Sequence, residues 1–346
     1  MAETGTRIIV IGTSAGGMQA LMMLLSKLPA DLPAAIFIVQ HVSADSSATF
    51  LSNRLNLNSK LNCKPAENNA KIEAGTVYMA PADQHLLLRQ EDMLVVNGPR
   101  ENQFRPSIDP LFRSAAAYHS SHVIGIILTG FMSDGVAGLE AIIRSGGMSM
   151  VQHPDDAEFP ALPNNVLRQL EVDDVLPLTE MANKIIEICK EAAPTAVTVP
   201  ADIKQEALIV ERIMTNSTMT SIEEMDDAGK RTAYSCPECG GGLWELSQPG
   251  NVQRFRCHSG HAYTQDSLLL SMSNALEETL WVALRTLEER RNILLHMSGN
   301  DLQKGNNRWA TMQENRAEEM KVHIERLREL LTLSAQSDEE HIGKAM

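Results

Sequence analysis

The stretch Arg7-Ile-Ile-Val-Ile-Gly-Thr-Ser-Ala-Gly-Gly17 decides the fold of this chain. Its first five residues, Arg7–Ile11, form a β-branched apolar run that predicts a buried strand, and Gly12 marks the end of that strand. Apolar residues at helical spacing follow over Met18–Leu28. A strand that turns through glycines into a helix is the opening unit of a parallel α/β sheet.

The same alternation of strand and helix continues to about residue 190. Further strands are predicted at Ala35–Gln40, Thr76–Ala80, Val123–Thr129 and Ser149–Gln152, with a hairpin formed by Leu86–Arg89 and Met93–Asn97. Further helices are predicted at Ser47–Leu55, Asp109–Ala117 and Gly138–Ser145. Because the strands are continuously apolar, we expect an α/β fold with a mainly parallel, doubly wound sheet covered on both faces.

Composition and charge exclude several classes of protein. The 346 residues are 43% hydrophobic and 21% charged, which is typical of soluble globular domains. The formal charge of −14 repels phosphate backbones, so we expect no nucleic-acid partner. No apolar run is long enough for a membrane span, and the N-terminus lacks the pattern of a secretory signal. These features predict a cytoplasmic protein of several domains.

The composition changes after residue 191, and five segments are expected. They are an α/β domain (1–191), a linker with one isolated helix over Ala201–Met214 (192–233), a small Cys/His module (234–263), a helical hairpin or coiled coil (264–335) and a flexible tail (336–346). The hairpin has a break predicted at Ser298-Gly299-Asn300. Its apolar seam is predicted at Leu276, Leu280, Ala283, Leu284, Leu287, Ile293 and Leu294, paired with Met320, Ile324, Leu327, Leu330 and Leu331.

The turn after the first strand fits a nucleophile elbow, G-x-S-x-G, at Gly12, Ser14 and Gly16. It lacks the third glycine of a dinucleotide loop and the Gly-Lys pair of a Walker A loop. In an elbow, the sharp turn presents the serine hydroxyl at a helix N-terminus, where backbone N–H groups stabilise an oxyanion. The alternative reading is a serine that caps a helix at a tight turn.

Two other strand ends supply partners for Ser14. His41 follows the second strand directly, and Asp134 lies in the loop after the strand Val123–Thr129. Because the carboxyl ends of parallel strands share one edge of a sheet, the three side chains are predicted to meet as a Ser-His-Asp triad. The chain order Ser…His…Asp differs from the Ser…Asp…His order of α/β-hydrolases.

Residues 7–190 resemble the catalytic domain of CheB-type protein-glutamate methylesterases of bacterial chemotaxis. The matching stretches are Ile11–Gly17, Ile38–His41, Tyr78–Pro81 with His85–Leu88, Arg105–Arg113, and Ile127–Gly130 through Asp134-Gly135. The resemblance implies hydrolysis of glutamyl methyl esters on methyl-accepting chemoreceptors or related signalling proteins, with release of methanol and without a catalytic cofactor. Because the same acyl-enzyme chemistry applies to an amide, deamidation of receptor glutamine is expected as a side activity.

The resemblance assigns roles residue by residue. The family's triad falls on Ser14, His41 and Asp134. Its nucleophile turn and oxyanion donors fall on Thr13, Ala15, Gly16, Gly17 and Phe131, and its substrate-binding segment falls on Arg105, Ser107 and Asp109.

The chain departs from the family at two places. The family usually has Met-Gly where this chain has Phe131-Met132, and the bulkier pair is expected to displace the oxyanion donor and lower the rate. The family's archetypes carry a receiver domain before the catalytic domain. Because the first strand starts at Arg7, we expect no phosphorylation control within this chain.

Three of the five cysteines lie close together in the Cys/His module. Cys236 and Cys239 form a C-x₂-C knuckle, and Cys257 with His261 completes a pattern typical of a closed, structural Zn²⁺ site. His258 is a competing fourth ligand. A redox role is disfavoured because no thioredoxin-like βαβ unit surrounds the C-x-x-C pair.

Three hypotheses follow from the sequence. The first is a receptor methylesterase whose zinc module and C-terminal helices bind a protein partner or form a homo-oligomer. The second is a signalling scaffold in which the loop at Phe131-Met132 has weakened catalysis. The third is a hydrolase of an unrelated small ester or amide.

Overall fold

The structure is a computed structural model that describes residues 6–192, 194–216, 219–246 and 250–344, with side chains described up to Thr332 apart from residue 216. The chain divides into two compact units, Met1–Leu268 and Leu269–Met346. Among the described residues, none of the helices has the length and apolar run that a bilayer crossing requires.

A seven-stranded parallel sheet forms the centre of the first unit. Its strands are β1 (Arg7–Thr13), β2 (Ala34–Gln40), β3 (Asn62–Pro65), β4 (Thr76–Met79), β7 (Val123–Ile127), β8 (Met148–Gln152) and β9 (Asp174–Leu176). They lie in the order β3-β4-β2-β1-β7-β8-β9. A separate antiparallel hairpin consists of β5 (His85–Leu88) and β6 (Met93–Val96). The predicted hairpin and parallel sheet are therefore confirmed.

Helices cover both faces of this sheet, as the apolar strands predict. The helices are α1 (Gly17–Ser26), α2 (Ala48–Asn56), α3 (Ile108–His119), α4 (Val136–Arg144), α5 (Ala161–Gln169) and α6 (Leu178–Lys190). In β1, Ile8 and Val10 face a core shared with α3, α4 and α5, whereas Ile9 and Ile11 face a core shared with α1, α2 and α6. Successive side chains of a strand point to opposite faces, so burial on both sides requires this unbroken apolar run. The predicted fold class is confirmed.

A small antiparallel sheet packs within the same unit. It has the order β10-β11-β12-β13, with strands Gly229–Ser235, Gly242–Leu246, Arg254–Cys257 and Ala262–Thr264. Two helices precede it, α7 (Ala201–Asn216) and α8 (Ile222–Ala228). α7 differs from the isolated helix expected in the linker. Its residues Ile203 and Ala207 are buried, and Ile203 joins the core that α3 also contributes to.

The second unit is built from two long helices, α9 (Gln265–Gln303), which begins in the first unit, and α10 (Asn307–Lys344). Part of the predicted seam forms a cluster, namely Leu280, Leu284, Leu287, Ile324, Leu327 and Leu331. Leu276, Ile293 and Leu330 are instead exposed. α10 continues to Lys344, so the segment expected to be a flexible tail is helical as far as the described backbone extends.

The break between these helices lies later than the sequence predicts. α9 runs through Ser298-Gly299-Asn300 and ends at Gln303, and the chain turns at Gly305, which has φ of 77°. One glycine inside a helix costs only about 1 kcal/mol relative to alanine. A left-handed φ ends a helix, and glycine adopts it without steric cost. Gly305 rather than Gly299 therefore determines the turn.

Candidate functional site

The candidate active site lies where the strand order reverses around β1. β1 pairs with β2 on one side and with β7 on the other, so the loops after these three strands share one edge. The His41 N–H donates to the Thr13 carbonyl at 3.1 Å, and the Ser14 N–H donates to the Thr129 carbonyl at 3.1 Å. Backbone hydrogen bonds therefore connect the three loops that carry Ser14, His41 and Asp134.

The turn between β1 and α1 has the backbone that a nucleophile elbow requires. Gly16 caps α1 with φ of 73°, a left-handed conformation that glycine adopts without strain. A Cβ on Gly17 would lie 2.5 Å from Oγ1 of Thr13, which donates to the Thr129 carbonyl at 2.8 Å. Ser14 is only partly buried. The turn thus exposes the serine and fixes its backbone from both sides.

The orientation of the His41 ring is fixed by two contacts. Nε2 of His41 lies 2.8 Å from Oδ2 of Asp134. The ring of Phe104 stacks on the imidazole, with centroids 3.5 Å apart and planes 7° apart. Within the described part of the chain, Nδ1 of His41 is buried and has no hydrogen-bond partner. Since a carboxylate only accepts, Nε2 carries the proton and Nδ1 keeps its lone pair.

Five donors, among them the Asp109 N–H at 3.4 Å from Oδ1, surround the carboxylate of Asp134, whose side chain is fully buried. Oδ2 accepts from His41 and from the Ile108 N–H at 2.7 Å. Oδ1 accepts from Ser107 Oγ at 2.7 Å and from Asn102 Nδ2 at 2.9 Å. Burial by itself raises the pKa of Asp134, but the hydrogen bond and charge of His41 and the bonds from Asn102 and Ile108 outweigh burial and lower the pKa. Asp134 is therefore held as a carboxylate.

Two of the residues that the resemblance assigns to substrate binding lie behind this acid instead. Ser107 is completely buried and donates to Asp134. Asp109 is 2% exposed and accepts from the Gly138 N–H at 2.6 Å and from Asn102 Nδ2 at 2.7 Å. Their side chains are buried beside the acid, so in this structure the two residues support Asp134, and their assignment to substrate binding stays a prediction. Burial and the charge of Asp134 raise the pKa of Asp109 to about 7.

Arg105, the third residue of that group, is partly exposed. Its Nε and Nη2 atoms donate to Oδ1 of Asp83 at 2.9 and 2.7 Å, and Nη1 donates to the Gly98 carbonyl at 2.7 Å. All three nitrogen atoms of the guanidinium thus donate a hydrogen bond. Arg105 therefore connects the loop 98–105 to Asp83. Unlike Ser107 and Asp109, it lies near the surface.

The loop at Phe131-Met132 keeps a glycine-like backbone despite its larger side chains. Met132 has φ of 68°, which is uncommon for a residue with a Cβ, and its carbonyl accepts from Asn165 Nδ2 at 2.6 Å. The ring of Phe131 packs against that of Phe159, with centroids 4.8 Å apart. Among the described residues, neither the Ala15 N–H nor the Phe131 N–H has an acceptor. Both donors are therefore available at the edge where Ser14 lies.

Sequence reasoning missed three residues around the triad. Asn102 donates to Asp134, Phe104 stacks on His41, and His85 fixes the backbone of the acid's support. Nε2 of His85 donates to the Pro99 carbonyl at 2.9 Å, and its Nδ1 accepts from the Ser107 N–H at 3.3 Å. Burial lowers the pKa of His85, in keeping with this neutral ring. The sequence offered one indication of these residues: His85 lies within a stretch that matches the family, His85–Leu88, and Asn102 and Phe104 directly precede another, Arg105–Arg113.

The predicted metal ligands come together in the small sheet. Cys236 and Cys239 lie in the turn between β10 and β11, Cys257 ends β12, and His261 precedes β13; their four ligand atoms lie within 4.8 Å of one another. Sγ of Cys239 and Cys257 are 3.7 Å apart. A tetrahedron with Zn–S bonds of ~2.3 Å has an edge of about 3.8 Å. The cluster could therefore hold a metal ion of that kind.

The same geometry bears on the choice between His258 and His261. Nδ1 of His261 lies 3.7 Å from Sγ of Cys236 and 3.6 Å from Sγ of Cys257, whereas His258 is outside the cluster. Nε2 of His261 lies 3.3 Å from a carboxylate oxygen of Glu238. Metal-bound histidines commonly donate their second N–H to such a carboxylate. Nearby Cys257 and His261 also lower the pKa of Cys236 to about 3, which favours a thiolate.

We expect purified protein to contain about one zinc ion per chain. Replacing Cys239 with serine removes one thiolate from a four-ligand site, and metal content should fall to about one tenth or less. Elemental analysis after dialysis against a weak chelator measures this ratio. Cys189→Ser is the matched control, because Cys189 is a buried thiol away from the cluster. Equal metal content in both variants would contradict the assignment.

A parallel α/β domain with Ser, His and Asp at adjoining strand ends is the architecture of a serine-hydrolase site. The family model for the CheB methylesterase matches residues 9–185, which is just over half of the chain. The chain belongs to the CheB methylesterase family.

Individual relatives match the same region. A protein-glutamate methylesterase/protein-glutamine glutaminase of Methanosarcina acetivorans is 39% identical over 189 residues, covering 52% of this chain and 53% of the relative. A Leptospira interrogans relative is 39% identical over 181 residues, covering 52% of this chain and 93% of the relative. The crystal structure of the Thermotoga maritima CheB methylesterase catalytic domain is similar with a TM-score of 0.52 and 32% identity, covering 53% of this chain and 99% of that one. This chain thus spans about half the length of the Methanosarcina relative.

Proposed function

We propose that the chain is a serine esterase that removes methyl groups from glutamyl methyl esters of chemoreceptors and releases methanol. The observation that carries the proposal is the His41 ring. Its Nε2 is hydrogen-bonded to Asp134, and its Nδ1 has no hydrogen-bond partner among the described residues at the sheet edge where Ser14 lies. Membership of the CheB methylesterase family supports the choice of ester and substrate.

In this mechanism, Nδ1 of His41 takes the proton of the Ser14 hydroxyl as Oγ attacks the ester carbonyl. The negative charge that develops on the carbonyl oxygen is stabilised by the N–H groups of Ala15 and Phe131. His41 then gives its proton to the departing methoxide, which leaves as methanol. Asp134 holds the ring orientation and stabilises the imidazolium throughout.

The second half of the reaction reverses these roles. Water enters, His41 removes its proton, and the hydroxide attacks the glutamyl-Ser14 ester. Collapse of this intermediate returns the proton to Ser14 and leaves a glutamate carboxylate on the receptor. A glutamine side chain reacts by the same route with ammonia as the leaving group, so we propose receptor deamidation as a second activity.

The C-terminal part is assigned a supporting role in this proposal. Zn²⁺ bound by Cys236, Cys239, Cys257 and His261 would stabilise the small sheet without an open coordination position. The paired helices α9 and α10 expose apolar side chains, among them Trp281, Ile293 and Trp309, and we propose that they bind a protein partner or a second copy of the chain. We propose that the reaction takes place in the cytoplasm, as membership of the CheB methylesterase family suggests.

The test is methanol release from membranes that contain receptors carrying radiolabelled methyl esters. For methanol release by the wild-type protein, we expect kcat/KM on the methylated receptor to be at least ten times the kcat/KM on a free glutamate γ-methyl ester. A preference for the small ester would support an unrelated hydrolase instead. Absence of release from either substrate, with receptor binding retained, would support the signalling scaffold.

A further inference from the structure

The buried amide of Asn102 connects the triad acid to a segment far outside the family match. Asn102 is 2% exposed, and its Nδ2 donates to Asp134 at 2.9 Å and to Asp109 at 2.7 Å. Its Oδ1 accepts from the Thr264 N–H at 2.9 Å and from Ser267 Oγ at 2.7 Å. All four hydrogen-bonding positions of the amide are thus used, two toward the acids and two toward the segment 262–267.

The backbone of Asn102 is held by the same segment. Its N–H donates to the Ala262 carbonyl at 2.8 Å, and the loop pairs with β13 through Glu101 and Ala262. Asn102 has φ of 52°, a left-handed conformation in which asparagine is one of the few tolerated residues. Thr264 also lies beside the acid loop, with Oγ1 3.2 Å from Ser133 Oγ. β13 therefore fixes both the side chain and the backbone of Asn102.

We propose that Asn102 is a positioning residue for Asp134 and that Ala262, Thr264 and Ser267, which follow the Cys/His cluster in the chain, hold it in place. The small sheet then contributes directly to catalysis, although the family model ends at residue 185. An asparagine whose Oδ1 were free could rotate and turn its N–H groups away from the carboxylates. The two donors from Thr264 and Ser267 remove that freedom. This inference rests on the triad mechanism proposed above.

The expected effect is on turnover rather than on binding. Ser267→Ala removes one of the two donors to Oδ1, and we expect kcat on a small methyl ester to fall about 3- to 10-fold with KM within twofold, as for loss of one hydrogen bond. Asn102→Ala removes the amide, and we expect a fall of about 10- to 100-fold, because small misplacements in a catalytic site have effects of that size. Asp266→Asn is the matched control, since Asp266 is exposed next to Ser267 and pairs with Arg168 at the surface.

The pH profile separates positioning from general destabilisation. Asn102 is one of the donors that lower the pKa of Asp134, and the other titratable groups facing this acid are His41, Asp109 and His85. A more basic Asp134 favours the imidazolium, so the acid limb of kcat should move to higher pH in both variants. A fraction of unfolded protein would lower the amplitude and leave the limb where it is.

A measurement without substrate tests the positioning role of Asn102 separately from the proposed esterase activity. The proton on Nε2 of His41, donated to Asp134, should give a downfield NMR resonance in ¹⁵N-histidine-labelled protein, identified by its loss in His41→Gln. We expect it to shift upfield or broaden in Ser267→Ala and Asn102→Ala and to stay in place in Asp266→Asn. An unchanged resonance in the first two variants, or an equal change in Asp266→Asn, would overturn the proposal whether or not the wild type hydrolyses an ester.

Discussion

Replacing Ser14 with alanine is expected to lower methanol release from methylated receptor by about 10⁴- to 10⁶-fold, the loss seen when a serine nucleophile is removed from a triad. The reason is that the acyl-transfer route requires Oγ of Ser14 as its nucleophile. Without Oγ, no glutamyl-enzyme ester forms, and the remaining His41–Asp134 pair with its N–H donors can only assist direct attack by water.

The assay is release of labelled methanol from receptor membranes at equal concentrations of folded protein. Ser26→Ala is the matched control, since Ser26 is an exposed serine at the end of α1, the helix that Ser14 precedes. It should keep the wild-type rate. If Ser14→Ala retained more than a tenth of the wild-type rate, another group would have to be the nucleophile.

The double variant Ser14→Ala, Asp134→Asn sharpens this result. Residues that act as one unit give losses that do not add. Once Ser14 is gone, the ring that Asp134 orients has no serine proton to accept, so the second substitution should reduce the residual rate by less than about threefold. A further large loss would indicate that His41 and Asp134 catalyse by a route that does not pass through Ser14.

The parallel α/β sheet could be predicted from the sequence because β1 contributes apolar side chains to the cores on both faces of the sheet. An apolar run such as Ile8–Ile11 is only stable between two covered faces, and parallel strands require helical crossovers. The juxtaposition of Ser14, His41 and Asp134 followed from the rule that strand ends share an edge, and the structure places these residues in loops joined by backbone hydrogen bonds.

The support of the acid could not be derived in the same way. Asn102 meets Thr264 and Ser267 across more than 160 residues of chain, and no local pattern encodes such a contact. Ser107 was expected to bind substrate, whereas its burial beside Asp134 depends on a contact between residues 27 positions apart in the chain. The position of the break in the helical pair depended on backbone conformation at Gly305, which composition alone does not distinguish from Gly299.

A buried ionic cluster holds the small sheet to the α/β domain, and its loss is the second large expected effect. It contains Glu101, Arg113, Glu206, Arg254 and Arg256, which come from the loop 98–105, α3, α7 and β12. Glu101 contacts Arg113 at 2.8 Å and Arg256 at 2.9 Å. Glu206 contacts Arg254 and lies 3.2 Å from Arg256. Three guanidinium groups thus share two carboxylates in the absence of solvent.

Glu206→Gln is expected to lower the free energy of unfolding by about 3–5 kcal/mol, because it leaves three buried cations beside one carboxylate. Burial and the nearby Arg113 lower the pKa of Arg254 to about 9. The charged form of this arginine therefore depends on the carboxylates around it. Asp202→Asn is the matched control on the same helix. Asp202 pairs with Arg144 at 2.8 Å in a partly exposed position, so its loss should cost at most about 1 kcal/mol.

Urea denaturation followed by tryptophan emission measures the free energy of unfolding of these variants in the small sheet. Trp244 is buried in β11, whereas Trp281 and Trp309 are more than half exposed, so the emission shift on unfolding comes mainly from the small sheet. Glu206→Met combined with Arg254→Met restores the original balance of charge in the cluster, and we expect it to recover at least half of the stability lost in Glu206→Gln. If Glu206→Gln were no less stable than Asp202→Asn, solvent would have to reach the cluster. The small sheet would then be held to the domain by its other contacts, which include its hydrogen bonds to Asn102 and the contact between Thr264 and Ser133.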